Sequence, residues 1–123
     1  MRTDYPVHDQ QYRKRKAEGR PGWDTAEVIH ENLGIFREMM RTEGVPRSGV
    51  LLELGCGAGD LTLGMAEDGF EAHGVDIAPT AIAWAQEKAG QRGLRADFRV
   101  GDVLTLADYA DETFDVVLSR CAE

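Results

Sequence analysis

Val50-Leu51-Leu52-Glu53-Leu54-Gly55-Cys56-Gly57-Ala58-Gly59-Asp60 is the stretch on which the reading of this chain turns. Val50 to Leu52 is an apolar run of strand length, and it leads into an acidic residue, Glu53. Glycines follow at alternate positions, Gly55, Gly57 and Gly59, and a helix-like stretch opens at Asp60. Strand, glycine turn and helix in this order bring backbone N–H groups and a helix N-terminus up to a polar or anionic ligand. Glycine suits such a turn because a Cβ would block a left-handed backbone or the close approach of the ligand. The competing reading is a strand-to-helix turn with no ligand. The segments downstream favour the ligand.

Spacing narrows the ligand. A dinucleotide fingerprint, Gly-x-Gly-x-x-Gly, would need a third glycine where Asp60 stands. The pattern present is Glu-x-Gly-x-Gly-x-Gly, with a carboxylate just ahead of the turn. It resembles motif I of the class I S-adenosylmethionine-dependent methyltransferases, and the resemblance runs from about Tyr12 to the last residue. It implies that Gly55, Cys56 and Gly57 lie under the methionine part of S-adenosylmethionine, with Glu53 near its ammonium end. Cys56 also reads as a small packing residue.

Phe70-Glu71-Ala72-His73-Gly74-Val75 reads as a second strand with Asp76 at its carboxyl end. A carboxylate one strand–helix–strand unit after a glycine turn can accept hydrogen bonds from both hydroxyls of a ribose. The resemblance makes Asp76 the ribose acid and places Ile77 on the adenine. Asp76 also reads as a helix cap, since Pro79 begins the next helix well. A third strand, Phe98-Arg99-Val100, leads to Gly101-Asp102-Val103. There the resemblance implies an acid, Asp102, for the adenine amino group and backbone at Val103 that reads the ring; a plain turn is the alternative. Phe114 to Ser119 resembles the family's fourth strand, whose end at Ser119 contributes backbone near the methionine group.

Helical periodicity fills the gaps. Asp24-Thr25-Ala26-Glu27 suggests a capping box with Asp24 as the N-cap, followed by Ala26, Ile29, Leu33, Phe36 and Met40 at helical spacing. Gly44 and Pro46 end that element. Asp60 to Glu67 predicts a second helix and Pro79 to Ala89 a third, with Ile82, Ala85 and Ala89 on one face and Gly90 as its stop. Trp84 on that helix reads as packing. Alternating strands and helices call for a parallel sheet with right-handed crossovers and ligands at its carboxyl edge. The expectation is therefore α/β: a Rossmann-like, doubly wound parallel sheet with strand order 3-2-1-4. The chain reads as one domain, 1–123, with an N-terminal helical cap segment, 1–45, and a Rossmann-like core, 46–123. In the cap segment, Tyr12, Arg15, Gly22, Trp23 and Asp24 resemble the leading segment of thiopurine- and tellurite-resistance-type methyltransferases, which closes over the cofactor with aromatic or basic side chains. Arg15 would meet the cofactor carboxylate, while Trp23 reads equally as a hydrophobic staple.

The family's sheet has seven strands in order 3-2-1-4-5-7-6, whereas this sequence stops just past the fourth, so truncation is expected and most acceptor-binding positions are missing. The fourth-strand segment Val116-Val117-Leu118 would then lie at an open edge, which favours a homodimer through that strand. A net charge of −8 disfavours nucleic acid, and Arg13-Lys14-Arg15-Lys16 is too short a run to reverse that. No apolar stretch is long enough to span a bilayer. Two cysteines make no disulfide framework, so a cytoplasmic setting is the expectation. His8, His30 and His73 have no metal-ligand spacing, and Ser48 and Ser119 lack the context of an activated nucleophile. No catalytic base is assigned. The sequence thus points to methyl transfer to a small-molecule acceptor, with a nicotinamide-dependent oxidoreductase and a non-catalytic binding or assembly module as alternatives.

Overall fold

The computed structural model describes residues 5–20, 25–101 and 114–119. Strands form where apolar, largely β-branched or aromatic runs meet turn residues, and helices form where apolar positions recur at helical spacing. In chain order the elements are α1 (Tyr5–Ala17), α2 (Ala26–Glu43), β1 (Gly49–Leu54), α3 (Asp60–Glu67), β2 (Phe70–Asp76), α4 (Pro79–Arg92), β3 (Ala96–Val100) and β4 (Val116–Ser119). The sheet is parallel, in the expected order β3-β2-β1-β4.

Register follows from burial. Leu51 pairs with Ala72 on one side and Val116 on the other, and Gly74 pairs with Phe98, so these side chains share one face. On that face Leu51, Leu61, Met65, Phe70 and Val116 form a buried cluster with Met40 of α2, flanked by Leu33 and Phe36. Cys56, Leu63, Ile82, Ala85, Ala89 and Phe98 form a second cluster under α4. Full burial of one such leucine is worth about 1.5–3 kcal/mol. β4 is tied to β1 by Asp115, whose carboxylate accepts from the Val50 N–H at 2.8 Å, while its own N–H donates to the Val50 carbonyl at 2.8 Å. Among the described residues, no helix is long and apolar enough to cross a membrane.

Several boundaries differ from the sequence expectation. The N-cap of α2 is Thr25, whose hydroxyl accepts from the Val28 N–H at 3.3 Å, so the cap expected at Asp24 sits one residue later; Asp24 itself lies outside the described residues. Ala26 consequently opens the helix and is exposed. α4 runs through Gly90 to Arg92, because Gly93 supplies the left-handed cap (φ 65°) and its N–H bonds back into the last turn. Finally, β1 and β3 start earlier and β1 ends later than the apolar runs alone suggested, since pairing with β2 extends both.

One close approach fixes how α4 lies on the sheet. Gly59 has φ +85°, and a Cβ there would lie 2.7 Å from the Ala85 Cβ and 2.8 Å from the Phe98 ring. Gly59→Ala is therefore expected to destabilise the fold by about 2–4 kcal/mol, combining left-handed strain with overpacking. Urea denaturation should show the lowered midpoint without a change in slope.

Candidate functional site

Parallel strands place all their carboxyl ends on one edge, and the β1–α3 turn stands at its centre. The turn is pinned to the end of β2. The N–H groups of Gly55 and Cys56 both donate to the Val75 carbonyl, at 2.8 and 3.0 Å. The next N–H, of Gly57, donates to Asp76 Oδ1 at 3.1 Å. The other carboxylate oxygen of Asp76 accepts from the Ala78 N–H at 3.0 Å, two residues on, which shapes the start of α4. The cap and site readings of Asp76 therefore fall on one carboxylate. Ile77 follows it, half-buried.

Beneath the turn, Glu53 is fully buried and accepts from the Thr62 hydroxyl at 2.5 Å. The first residue of α3, Asp60, accepts from Lys88 Nζ at 2.8 Å with both side chains about nine-tenths buried. The Lys88 ammonium also stands 5.2 Å from the Trp84 ring centroid. Burial pulls the Lys88 pKa below its usual value, against the opposing pull of Asp60. The helix N-terminus that binds phosphate in dinucleotide folds thus already carries a carboxylate.

α1 lies across the turn. Tyr12 is 7% exposed and packs with Ala58, Ala78, Ala81 and Trp84, so the expectation that Trp84 packs holds. A Cβ on Gly57 (φ +57°) would lie 2.6 Å from the Tyr12 hydroxyl oxygen. Asp9, 6% exposed, accepts from the Thr80 N–H at 2.8 Å and from the Thr80 hydroxyl at 3.0 Å. Arg15 lies on the flank of α1, donating to Gln11 Oε1 at 2.8 Å, in a cleft of about 510 Å³ with Lys14, Glu18 and Arg20.

Of the residues expected from sequence, Gly55, Cys56, Gly57 and Asp76 are joined directly by hydrogen bonds or sequence, and Glu53 lies below them. Cys56 is 2% exposed, its side chain directed into the cluster under α4. Ser119 is exposed at the end of β4, paired in register with Leu54. Trp23, Asp102 and Val103 lie outside the described residues. Sequence reasoning named Tyr12 within the leading segment but gave it no role of its own, and it missed Asp9 and Thr62. The one available signal for α1 was its sparse apolar content: a tyrosine amid polar residues in a helix has to bury against something.

A parallel sheet of order 3-2-1-4 with a glycine turn after the first strand and a carboxylate ending the second is Rossmann-like, and it is the fold of the class I S-adenosylmethionine-dependent methyltransferases. Residues 47–122 match the family described as Methyltransferase domain, and the chain belongs to that family. Among curated relatives it is 46% identical over 69 residues to a ubiquinone biosynthesis O-methyltransferase of Azorhizobium caulinodans, covering 56% of this chain and 27% of the relative. The same enzyme of Ruegeria pomeroyi is 44% identical over 93 residues, covering 75% of this chain and 37% of the relative. The chain thus spans well under half the length of these relatives. Among solved structures, one from work on the conversion of a disulfide bond into a thioacetal group during echinomycin biosynthesis superposes with a TM-score of 0.68 at 34% identity, covering 94% of this chain and 47% of the other. Magnesium protoporphyrin IX methyltransferase from Synechocystis with bound S-adenosylmethionine gives 0.61 at 25% identity, covering 75% and 44%.

The buried Lys88 has a consequence for pH. Because its folded pKa lies below the usual lysine value of 10.5, the unfolded chain binds more protons between the two values. Stability therefore rises with pH through that window, and the cost is fully present below it. Lys88→Met is expected to remove this rise, read as urea midpoints from neutral pH to about pH 10.

Proposed function

We propose that this chain is the cofactor-binding part of an S-adenosylmethionine-dependent methyltransferase acting on a small-molecule acceptor. The observation that carries the reading is the Asp76 carboxylate held between the Gly57 and Ala78 N–H groups at the sheet edge. Asp60 is offset by Lys88, while Asp76 at the edge and Glu53 under the turn leave carboxylates facing this side of the sheet. An edge of that kind suits a ligand with a sulfonium and an ammonium group and opposes a pyrophosphate, which weighs against the nicotinamide alternative. At Gly57 a Cβ would collide with the Tyr12 hydroxyl, so only glycine leaves this part of the turn free for close approach.

When bound, S-adenosylmethionine supplies an electrophilic methyl group on sulfur for in-line displacement by the acceptor. The residues of this chain bind and orient. Asp76 would take the ribose hydroxyls and Ile77 the adenine face. Gly55, Cys56 and Gly57 would line the methionine part, with Glu53 below its ammonium end and Ser119 beside it. Arg15 would meet the carboxylate, while Trp23, Asp102 and Val103 would complete the pocket. Catalysis then rests on proximity and alignment, and no general base is assigned. In this reading the chain is one domain, with residues 1–45 capping a core of residues 46–123, in a cytoplasmic setting.

Calorimetry with S-adenosylmethionine, S-adenosylhomocysteine and NAD tests the site. The first two are expected to bind and NAD not. Gly57→Val should abolish binding by filling the space the ligand needs. Asp76→Ala should weaken it by about 1–3 kcal/mol through lost hydrogen bonds to a charged acceptor. Unchanged affinity in both variants, or preferential binding of NAD, would overturn the assignment.

The same reading extends to assembly. β4 is a terminal strand among the described residues, and Val117 is 56% exposed. A strand that ends the sheet among the described residues and bears an exposed valine invites a second strand, and a homodimer through β4 is the proposed form. Light scattering after size exclusion should give a dimer mass that Val117→Lys halves. Val116 faces the core cluster, so a charge there would test folding and not the edge.

A further inference from the structure

The N-cap of α4 is Ala78, which has no side chain able to cap the helix. The N–H groups of its first turn are instead met by two carboxylates from elsewhere: Asp76 takes Ala78, and Asp9, far away in sequence on α1, takes Thr80. Asp9 does for α4 what an N-cap residue normally does, but from another helix. It also accepts from the Thr80 hydroxyl, and Arg13 closes the cluster at 3.1 Å from Asp9 and 3.3 Å from Thr80. One turn further along α1, Lys16 pairs with Glu87 at 2.9 Å. That pair is half exposed and adds little, so among the described side chains the buried Asp9 cap and Tyr12 are the chief anchors of α1.

We propose that Asp9 is a positioning residue: its cap on α4 latches α1 over the glycine turn, keeps Tyr12 above Gly57, and sets the rate at which the cofactor exchanges. The proposal rests on the cofactor reading of the turn. The Tyr12 hydroxyl lies directly against Gly57, so a ligand that reaches the turn has to pass α1. The α4 N-terminus is shared by the carboxylate proposed to hold the ribose, Asp76, and the carboxylate that holds the latch. A ligand that draws Asp76 onto its hydroxyls leaves the first turn of α4 leaning more heavily on Asp9. Binding and latching therefore reinforce each other, and by linkage the effect is reciprocal.

The test pairs two measurements on the full chain: the release rate of S-adenosylhomocysteine by stopped flow, and hydrogen exchange of residues 5–17 with and without it. In the wild type the ligand should slow exchange in α1. Asp9→Ala should release ligand about fivefold faster, the loss expected for a missing cap, and α1 should exchange quickly whether or not ligand is bound. Asp9→Asn keeps an oxygen for the Thr80 N–H and should return both readouts to near wild type, a rescue that a merely destabilised fold would not show. If Asp9→Ala fails to fold, Thr80→Val keeps the N–H and loses the hydroxyl, and should speed release by about twofold. Faster α1 exchange with unchanged ligand release would overturn the latch, as would unchanged α1 exchange in Asp9→Ala. A wild-type chain that binds no S-adenosylhomocysteine would instead bring down the cofactor reading, and the latch with it.

Discussion

Everything at the functional edge hangs on the last two residues of β2. The Val75 carbonyl receives two successive N–H groups of the glycine turn, and the Asp76 carboxylate receives the third and the first N–H of the α4 turn. These bonds join the two strand-to-helix connections to each other, so α3 and α4 cannot start independently. A buried backbone group left without a partner costs about 1–3 kcal/mol, and here two turns share one set of acceptors. The conformation of the turn is thus decided by the neighbouring strand as much as by its own glycines.

Polar groups below the edge follow the same economy. Glu53 is buried outright, yet it ends β1 directly under α3 and finds the Thr62 hydroxyl one helical turn in. Lys88 reaches from α4 to Asp60 on α3, with Arg92 at 3.8 Å from the same carboxylate, tying together two helices that also share an apolar cluster. Such pairs contribute little net stability, but each is costly to break from one side, which makes them devices of register more than of strength. On the opposite face of the sheet His73 is buried between Glu71, at 3.1 Å, and Asp97, at 3.6 Å, with the Phe114 ring edge-on at 5.6 Å.

What the sequence made legible was local and periodic. The glycine turn, the acid after the second strand and the apolar faces of α2 and α4 are patterns within a few residues of themselves, and they placed the strand order correctly. What escaped were contacts between distant parts of the chain. Asp9 and Thr80 are 71 residues apart, and nothing in either neighbourhood announces the other. α1 carries so few apolar residues that its burial cannot be read from periodicity; Tyr12 packs among Ala58, Ala78 and Ala81. The helix ends were missed for a different reason. Thr25 and Asp24 are both good caps, and Gly90 and Gly93 both good stops, and only backbone geometry chooses between them.

The Asp115 clip carries a consequence for how the chain folds. β1, β2 and β3 are joined by short crossovers through α3 and α4, so each pairing closes a loop of modest length. The pairing of Val50 with Asp115 spans 65 residues and reaches back past all of them. Loop-closure entropy grows with that separation, and contacts of long range form after those of short range. The three-stranded unit can therefore nucleate on its own, with β4 docking afterwards onto a flank of β1 that is already shaped to receive it.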